Sequence, residues 1–225
     1  MRLACEHPDL MSITDGLPHL SGAALAIAPI SDYRSLLLDG EGAYIDSMAE
    51  KRQFEFSSGR HCAHRCQEVL DLKPAPILRL ERTPVWPSAF YRGSISHCDI
   101  AAVATITTEQ KGIGVDIERT DRVKEKLFDA LFTKSEQKHL SSLPEEAANV
   151  APAVLFSAKE SGYKAIFPIG GQFIGFHEAT ITVDWSRQTF TIEYLGHHAA
   201  NRALNSGTGY WQIQGEYVLT IFVIS

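Results

Sequence analysis

The spacing of apolar and polar positions divides the chain into helix-like and strand-like stretches. Short apolar runs fill the first 45 residues, where LAIAPI predicts a buried strand that ends at its proline. A helical pattern runs from residue 47 to about 72 and opens with SMAE, which has the form of a capping box. A second helix is predicted over 151–166, stopped by Pro168, and TKSE at 133–136 predicts a shorter one.

Strand patterns dominate the middle and the end of the chain. AAVATIT and GIGVDIE have the residue types of strands and are joined by the polar turn TEQK. Four further runs follow the second predicted helix: ATITVDW, FTIEYL, YWQIQ and EYVLTIFVI. The last two runs are joined at Gly215, and the four most simply form an antiparallel sheet.

Composition then narrows the class of protein. With 44% hydrophobic and 21% charged residues among 225, the chain has the make-up of a soluble globular protein. It contains no apolar stretch of the roughly 18 residues that a membrane span requires, and its start lacks a signal-peptide pattern, so we expect a cytoplasmic protein. The net charge of −6 disfavours a nucleic-acid coat, and four irregularly spaced cysteines indicate free thiols.

GIGVDIE carries the first candidate chemistry. The two-residue period of a strand places Asp116 and Glu118 on one face and Ile113, Val115 and Ile117 on the other. Two neighbouring carboxylates repel each other unless a cation lies between them, and oxygen ligands suit a hard cation such as Mg²⁺. The alternative is an amphipathic strand with a solvated acidic face.

The helical stretch FSAKESGYKA carries the second. Glu160 and Lys164 are four residues apart and therefore adjacent on one face, with Lys159 beside them. A third carboxylate with two ammonium groups would complete a site for a metal-bound polyphosphate. The alternative is an ordinary intrahelical ion pair.

Basic and hydroxyl side chains form a third set. Arg52 and Arg60 can reach one broad side of the first helix, where arginine binds phosphate well. Ser94, Ser96 and His97 lie where a loop enters a strand, so hydroxyl and imidazole groups could meet a phosphate there. Solvation of the arginines and turn capping by the serines are the alternatives, and no G-x-S-x-G sequence indicates a serine hydrolase.

The segment HCAHRC at 61–66 raises a rival metal hypothesis. It packs four possible zinc ligands into six residues, but structural zinc sites draw ligand pairs from two separated segments. We therefore favour buried cysteines on the inner face of the helix, with the two histidines towards solvent.

Taken in order, these pieces resemble one family. KRQFEFSSGRHCAHR, RTPVWP, GSISHC, GVDIE, FT-x-SE and FSAKESGYKA resemble the 4'-phosphopantetheinyl transferases that serve siderophore and nonribosomal peptide synthesis, especially the enterobactin-synthase component D branch. GVDIE followed some forty residues later by FSAKESGYKA is a specific pair of signatures. The resemblance covers about residues 50 to 168. The two serines of SSGR depart from the resemblance, since relatives often carry an apolar and a small residue there. The resemblance assigns no role to Arg92.

The resemblance implies transfer of the 4'-phosphopantetheine arm of coenzyme A to a serine of an apo carrier protein. Adenosine 3',5'-bisphosphate is released. Asp116, Glu118 and Glu160 would bind Mg²⁺, with Mn²⁺ as the alternative, and Glu160 would accept the serine proton. The remaining implied contacts are to the phosphates of coenzyme A: Lys159, Lys164, Ser96, His97, Arg52, Arg60 and Arg82.

The implied fold is α/β (α+β), with two similar halves related by a pseudo-twofold axis. Each half would be an antiparallel sheet packed against one helix, over residues 1–111 and 112–225, with the active site between them. A monomer that modifies peptidyl, aryl or acyl carrier domains is the simplest expectation. A non-catalytic module that binds coenzyme A or a carrier is the alternative, and the missing G-x-x-x-x-G-K-[ST] loop disfavours a nucleoside-triphosphate enzyme.

Overall fold

The computed structural model describes residues 1–80, 83–170 and 172–225. Its strands are β1 (Arg2–Cys5), β2 (Ala23–Pro29), β3 (Leu78–Leu80), β4 (Thr83–Val85), β5 (Arg92–His97), β6 (Ala101–Thr107), β7 (Gly112–Arg119), β8 (Ala179–Asp184), β9 (Thr189–Tyr194), β10 (Thr208–Gln214) and β11 (Tyr217–Ile224). Its α-helices are α1 (Glu50–Val69), α2 (Phe128–Leu131), α3 (Lys134–Leu140), α4 (Glu145–Ala148) and α5 (Ala151–Gly170). Short 3₁₀ turns lie at Pro8–Thr14, Arg34–Leu36, Gly42–Tyr44, Glu125–Leu127, Phe176–Glu178 and Ala200–Ser206. None of the described helices is long and apolar enough to cross a membrane.

Two sheets carry the fold, and each takes its strands from one part of the chain. The first has the order β1-β2-β6-β5, and the second has the order β7-β11-β10-β9-β8. Only β1 and β2 pair in parallel; the other described pairs in these two sheets are antiparallel. The strands β6 and β7, which are neighbours in sequence, therefore belong to different sheets. The hairpin β3–β4 stands apart from both.

Four layers follow from the alternation of side chains along the strands. Alanine positions of β2 and β6, such as Ala26 and Ala104, pack against Cys62 and Ala63 of α1. The opposite faces of these strands meet the second sheet in a shared core that includes Leu25, Val103, Val115 and Ile221. The far face of the second sheet packs against α5 through residues such as Val218 and Phe222. The order is thus helix, sheet, sheet, helix, and the strand period of β7 turns Asp116 towards α5.

The edges of the two sheets meet through a serine side chain. The Ser94 hydroxyl on β5 accepts a hydrogen bond from the Val115 amide at 3.1 Å and lies 3.4 Å from the Val115 carbonyl oxygen, to which it donates. A buried edge strand leaves backbone groups without partners unless something else satisfies them. Ser94 therefore replaces a strand pairing at this junction and sets β5 beside β7.

The strands predicted from the sequence were confirmed, but β5, which contains Ser96 and His97, was expected to be loop. Two predictions about helix ends were also wrong. The SMAE segment is not a capping box: its last residue begins α1, and Ala49 precedes the helix with no side-chain cap. Helix α5 does not stop at Pro168 but continues to Gly170. A proline removes one backbone hydrogen-bond donor, and a helix can tolerate that loss near its end. The capping box at Thr133 and Glu136 is confirmed, with both reciprocal hydrogen bonds present.

Close packing of α5 on β7 depends on a missing side chain. A Cβ placed on Gly114 would collide with the carbonyl oxygen of Ser161 and would lie 2.7 Å from the backbone nitrogen of Ala165. Both obstacles are helix backbone, which cannot turn aside as a flexible side chain can. Gly114 thus lets the helix approach the strand that carries the acidic residues.

We predict that Gly114→Ala lowers the free energy of unfolding by about 1–3 kcal/mol or more, because the helix must move away from the strand. Gly42→Ala is the matched control, since a Cβ there meets nothing within 4 Å. Urea denaturation of both variants would check the prediction. Equal stability of the two variants would contradict it.

Candidate active site

Asp116 lies at the centre of the site and is held from three elements. Its carboxylate is 2% exposed. Oδ1 accepts hydrogen bonds from Ser96 Oγ of β5 at 2.7 Å and from Lys164 Nζ of α5 at 2.6 Å. Oδ2 accepts from Ser157 Oγ, also on α5, at 2.8 Å. The buried charge is therefore compensated by a cation and two hydroxyls that come from both parts of the chain.

Lys164 and Glu160 share one face of α5, as their spacing predicts. The Lys164 ammonium also donates to Ser96 Oγ at 2.9 Å, so it joins the helix to β5. No hydrogen bond or ion pair links the Glu160 carboxylate to another residue that the structure describes. Burial, and to a lesser extent the charge of Asp116, raises the pKa of Glu160, although Lys164 opposes the shift. Its carboxylate is free to accept a proton.

Glu118 completes the acidic group that the sequence predicts. Burial first, and then repulsion by Asp116, raises the pKa of Glu118 to about 7. Glu160 adds to this repulsion, while Arg122, at 3.6 Å, and Lys164 oppose it. The three carboxylates thus interact with each other, and the nearby cations do not fully neutralise them.

The acidic residues fit a hard divalent cation that is bound partly by the protein and partly by a phosphate ligand. Among the residues described, no three histidine, cysteine, aspartate or glutamate side chains converge closely enough to hold an ion by themselves. Mg²⁺, however, commonly takes only one or two carboxylates and completes its shell with phosphate oxygens and water. An all-oxygen, negatively charged group beside a phosphate-binding cavity suits that mode rather than a closed protein cage.

A basic cavity of about 420 Å³ adjoins the acidic group. Lys164 lies on the boundary, because it both lines this cavity and binds Asp116. The predicted residues that the structure brings together in the wall are Arg52, Arg60, Ser96, His97 and Lys164. Such a concentration of cations favours an anionic ligand even though the whole chain is acidic.

Arg60 is the most firmly held of these cations. Its Nε donates to the Ile77 carbonyl at 2.7 Å, its Nη2 donates to the Leu78 carbonyl at 3.2 Å, and its guanidinium lies over the Phe56 ring. Burial lowers its pKa to about 10, so it stays charged at neutral pH. Arg60 therefore ties α1 to the segment that enters the β3–β4 hairpin.

The same hairpin contributes a residue that the sequence reasoning missed. Arg79 of β3 lines the basic cavity, whereas Arg82 lies outside the described residues. The sequence ILRLER could have indicated this residue, because the alternation of a strand places Arg79 on the face opposite to Leu78 and Leu80. The sequence predicts extended loop here with a short strand at ILRL, which β3 confirms, and the family resemblance selects Arg82 of this segment rather than Arg79.

His97 forms a compact group with Arg52 and Glu55. Arg52 Nη1 donates to His97 Nε2 at 2.5 Å and to Glu55 Oε2 at 2.9 Å. Because a guanidinium cannot accept a hydrogen bond, Nε2 of His97 is the acceptor and carries no proton. Burial lowers the pKa of His97, with smaller contributions from Arg52 and Lys164, while Glu55 opposes the shift.

Lys159 does not take part in this site. It is 5% exposed, and its ammonium donates to the carbonyls of Phe176 at 2.5 Å and Ala179 at 2.9 Å and pairs with Glu136 at 2.8 Å. Adjacent helix positions point about 100° apart, so Lys159 is directed away from the face of Lys164. This placement contradicts the expectation that Lys159 faces phosphate oxygens.

A second cavity of about 420 Å³ shares Lys164 with the first and also includes Glu160. Its other walls are mostly apolar and come from the β4 region, from β5, and from α5 with Phe173. They include Trp86, Tyr163, Phe167 and Phe173. An uncharged, elongated group could lie there while a phosphate occupies the basic cavity.

The zinc hypothesis finds no support in the residues described. Cys62 and Cys66 are buried free thiols that donate to the carbonyls of Ala102 and Ala104. His64, expected towards solvent, is instead buried and bonded to a carboxylate, as Nε2 lies 3.0 Å from Glu41 Oε1.

Acidic groups beside a basic cavity, at the junction of two sheets, define a protein that handles a phosphorylated ligand. Residues 112–222 match the family model of the 4'-phosphopantetheinyl transferase superfamily, and residues 40–107 match that of the 4'-phosphopantetheinyl transferase N-terminal domain. The chain belongs to the 4'-phosphopantetheinyl transferase superfamily. The resemblance seen in the sequence motifs is thereby confirmed.

Individual relatives agree with the family models. The chain is 30% identical over 197 residues to 4'-phosphopantetheinyl transferase PptT of Mycobacterium tuberculosis, covering 83% of this chain and 86% of the relative. It is 32% identical to 4'-phosphopantetheinyl transferase Svp of Streptomyces mobaraensis (85% and 80% covered) and 30% identical to enterobactin synthase component D of Escherichia coli (80% and 81% covered). Holo-[acyl-carrier-protein] synthase of Thermotoga maritima matches at a TM-score of 0.42 and 16% identity, over 52% of this chain and 64% of its own.

The buried pair of Lys159 and Glu136 yields a stability prediction. We expect Lys159→Met to lower the free energy of unfolding by about 3–5 kcal/mol, because it leaves the Glu136 carboxylate buried without its cation. Lys134→Met, which breaks an exposed pair with Asp129, should change it by less than about 1 kcal/mol. Urea denaturation would measure both. A small change in Lys159→Met would show that the ammonium does not compensate Glu136.

Proposed function

We propose that this protein transfers the 4'-phosphopantetheine arm of coenzyme A to a serine hydroxyl of an apo carrier protein, releasing adenosine 3',5'-bisphosphate. The observation that carries the proposal is the contact between the acidic group and the basic cavity through Lys164. A diphosphate placed across this boundary would meet carboxylate-bound metal on one side and cationic side chains on the other. Membership of the family supports the same reaction.

Each part of the site has a place in the proposed reaction. Arg52, Arg60, Arg79 and His97 would bind the 3'-phosphate and neighbouring nucleotide groups in the basic cavity. The pantetheine arm would lie in the apolar cavity beside Tyr163 and Phe173, which keeps the diphosphate next to Lys164. This arrangement supplies positioning and charge stabilisation, which phosphoryl transfer chiefly requires.

Asp116 and Glu118 would hold Mg²⁺ or Mn²⁺ together with phosphate oxygens, with Glu160 close by. The cation would supply charge neutralisation at the diphosphate. Glu160 would accept the proton of the attacking serine, directly or through water, since its carboxylate has a raised pKa and no described partner. The serine oxygen then bonds to the phosphorus that carries pantetheine, and the bond from that phosphorus to the nucleotide phosphate breaks.

The carrier partners, the cellular location and the oligomeric state are further parts of the proposal. Peptidyl, aryl or acyl carrier domains of siderophore or other nonribosomal peptide pathways are the proposed partners. A cytoplasmic location and a monomeric state stay predictions, as does the division into halves at residues 111 and 112.

We predict that the wild-type protein, with coenzyme A and Mg²⁺, adds one phosphopantetheinyl group to the serine of an apo carrier domain. Glu160→Gln should slow the transfer by about 10²–10⁴-fold, because the serine loses its proton acceptor. Glu146→Gln, which removes an exposed carboxylate, is the control. Intact mass spectrometry of a panel of carriers would measure the transfer. Tight binding of coenzyme A with no mass gain on any carrier would favour a non-catalytic binding module instead.

The neutral state of His97 gives a pH prediction. An anionic phosphate in the cavity should raise the pKa of His97, so binding takes up a proton and affinity falls as pH rises through that bound-state pKa. We expect adenosine 3',5'-bisphosphate to bind at least about threefold more tightly at pH 6.5 than at pH 8. The charged groups that act on the imidazole are Glu55, Arg52 and Lys164.

Isothermal titration calorimetry in buffers of different ionisation enthalpy would measure both the affinity and the proton uptake. His97→Gln should flatten the pH dependence. A steep dependence that survives in His97→Gln would assign the proton to another group.

A further inference from the structure

Ser157 is a buried hydroxyl that the proposed reaction does not use directly. It is 0% exposed and lies on α5, one turn before Glu160. Its Oγ lies 2.8 Å from Asp116 Oδ2 and 2.9 Å from Thr220 Oγ1. Thr220, also fully buried, stands opposite Asp116 in the register of β7 and β11. The two hydroxyls and the carboxylate therefore form a short buried chain.

A count of protons fixes the direction of this chain. Each hydroxyl carries one proton, whereas the ionised carboxylate has none. Thr220 Oγ1 also lies 2.9 Å from the Ser157 carbonyl oxygen, to which it donates. If Ser157 donated to Thr220 instead of Asp116, its lone pairs would face the carboxylate and repel it. Ser157 therefore gives its proton to Asp116 Oδ2, and the single proton of Thr220 is shared between the carbonyl oxygen and the Oγ of Ser157.

This hydrogen bond determines which position on Asp116 is left for another partner. Oδ1 already accepts from Lys164 and Ser96, whereas Ser157 is the one donor to Oδ2 among the residues that the structure describes. A carboxylate oxygen accepts about two hydrogen bonds, so one acceptor position remains, on Oδ2. The terminal torsion of aspartate has broad minima, and without Ser157 the carboxylate could rotate about its contacts on Oδ1.

We propose that Ser157 is a positioning residue, fixed by Thr220, that orients the Asp116 carboxylate so that one acceptor position of Oδ2 is available to a divalent cation. The inference rests on the proposed function, because that function gives Asp116 a cation to bind. Hydroxyls that orient a metal-binding group commonly change metal affinity when removed, although they never touch the metal.

The first test measures the affinity for Mn²⁺ by calorimetry and by electron paramagnetic resonance, with coenzyme A present and no carrier, so that no reaction occurs. Ser157→Ala should weaken Mn²⁺ binding by about tenfold or more. Thr220→Val keeps the side-chain shape, removes the second hydroxyl and should weaken Mn²⁺ binding less. Ser161→Ala is the matched control, because this equally buried hydroxyl on α5 donates to the Ala158 carbonyl and has no contact with Asp116 in the described part of the chain. It should leave the affinity within about twofold.

Turnover separates positioning from a merely structural effect. In Ser157→Ala the apparent KM for Mg²⁺ should rise while the KM for coenzyme A stays the same, and saturating Mg²⁺ should restore most of kcat. Unchanged Mn²⁺ affinity in both Ser157→Ala and Thr220→Val would overturn the inference.

A second test needs no ligand. Urea denaturation of Ser157→Ala, Asp116→Ala and the double variant should give losses of stability that are not additive, because the two side chains share one hydrogen bond. Additive losses would overturn the inference even if the transferase activity is present. Failure of the wild-type protein to bind Mn²⁺ would count against the metal in the proposed function, and this cycle would still decide whether Ser157 holds Asp116.

Discussion

The fold and the site depend together on the buried carboxylate of Asp116. It lies on an edge strand of one sheet, and its partners come from the edge strand of the other sheet and from α5. A buried charge is stable only when it is compensated, so these elements are held in one arrangement by the need to satisfy it. Ser94 adds a second link one strand period from Ser96, where its hydroxyl contacts the backbone of Val115. The junction that assembles the molecule is therefore also the place where the candidate chemistry lies.

Charge is segregated across this junction. Asp116, Glu118 and Glu160 interact on one side, and burial together with repulsion by Asp116 raises the pKa of both glutamates. Cationic groups line the cavity on the other side. Lys164 belongs to both, since it binds Asp116 and lines the cavity. A divalent cation would reduce the repulsion among the carboxylates, and phosphates would reduce the repulsion among the cationic side chains. A ligand that brings both would therefore satisfy both sides of the junction, which a simple anion or a cation alone would not.

The sequence could predict the parts of the site that follow local periodicity. Asp116 and Glu118 share a strand face, and Glu160 and Lys164 share a helix face, because both pairs obey the period of their element. Lys159 shows the limit of this reasoning, since a motif groups neighbours that a helix separates by about 100°. The bond between Ser96 and Asp116 could not be predicted either, because it joins positions on different sheets. The end of α5 was missed for a related reason, as the packing of a helix can outweigh one proline.

The basic cavity is organised unevenly, and this follows from the burial of its arginines. Glu41 is fully buried and accepts hydrogen bonds from the amides of Ile77 and Leu38, while His64 lies 3.0 Å away. These contacts hold the backbone at Ile77, whose carbonyl in turn accepts from Arg60. Arg60 is thereby ordered before any ligand arrives, and binding need not restrict it further. Arg52, whose side chain is 50% exposed, is held instead by the side chains of Glu55 and His97 near the surface, without buried backbone partners among the described residues. The buried wall of the cavity is therefore ordered through Glu41 and Arg60, whereas its exposed wall depends on side chains that solvent can reach.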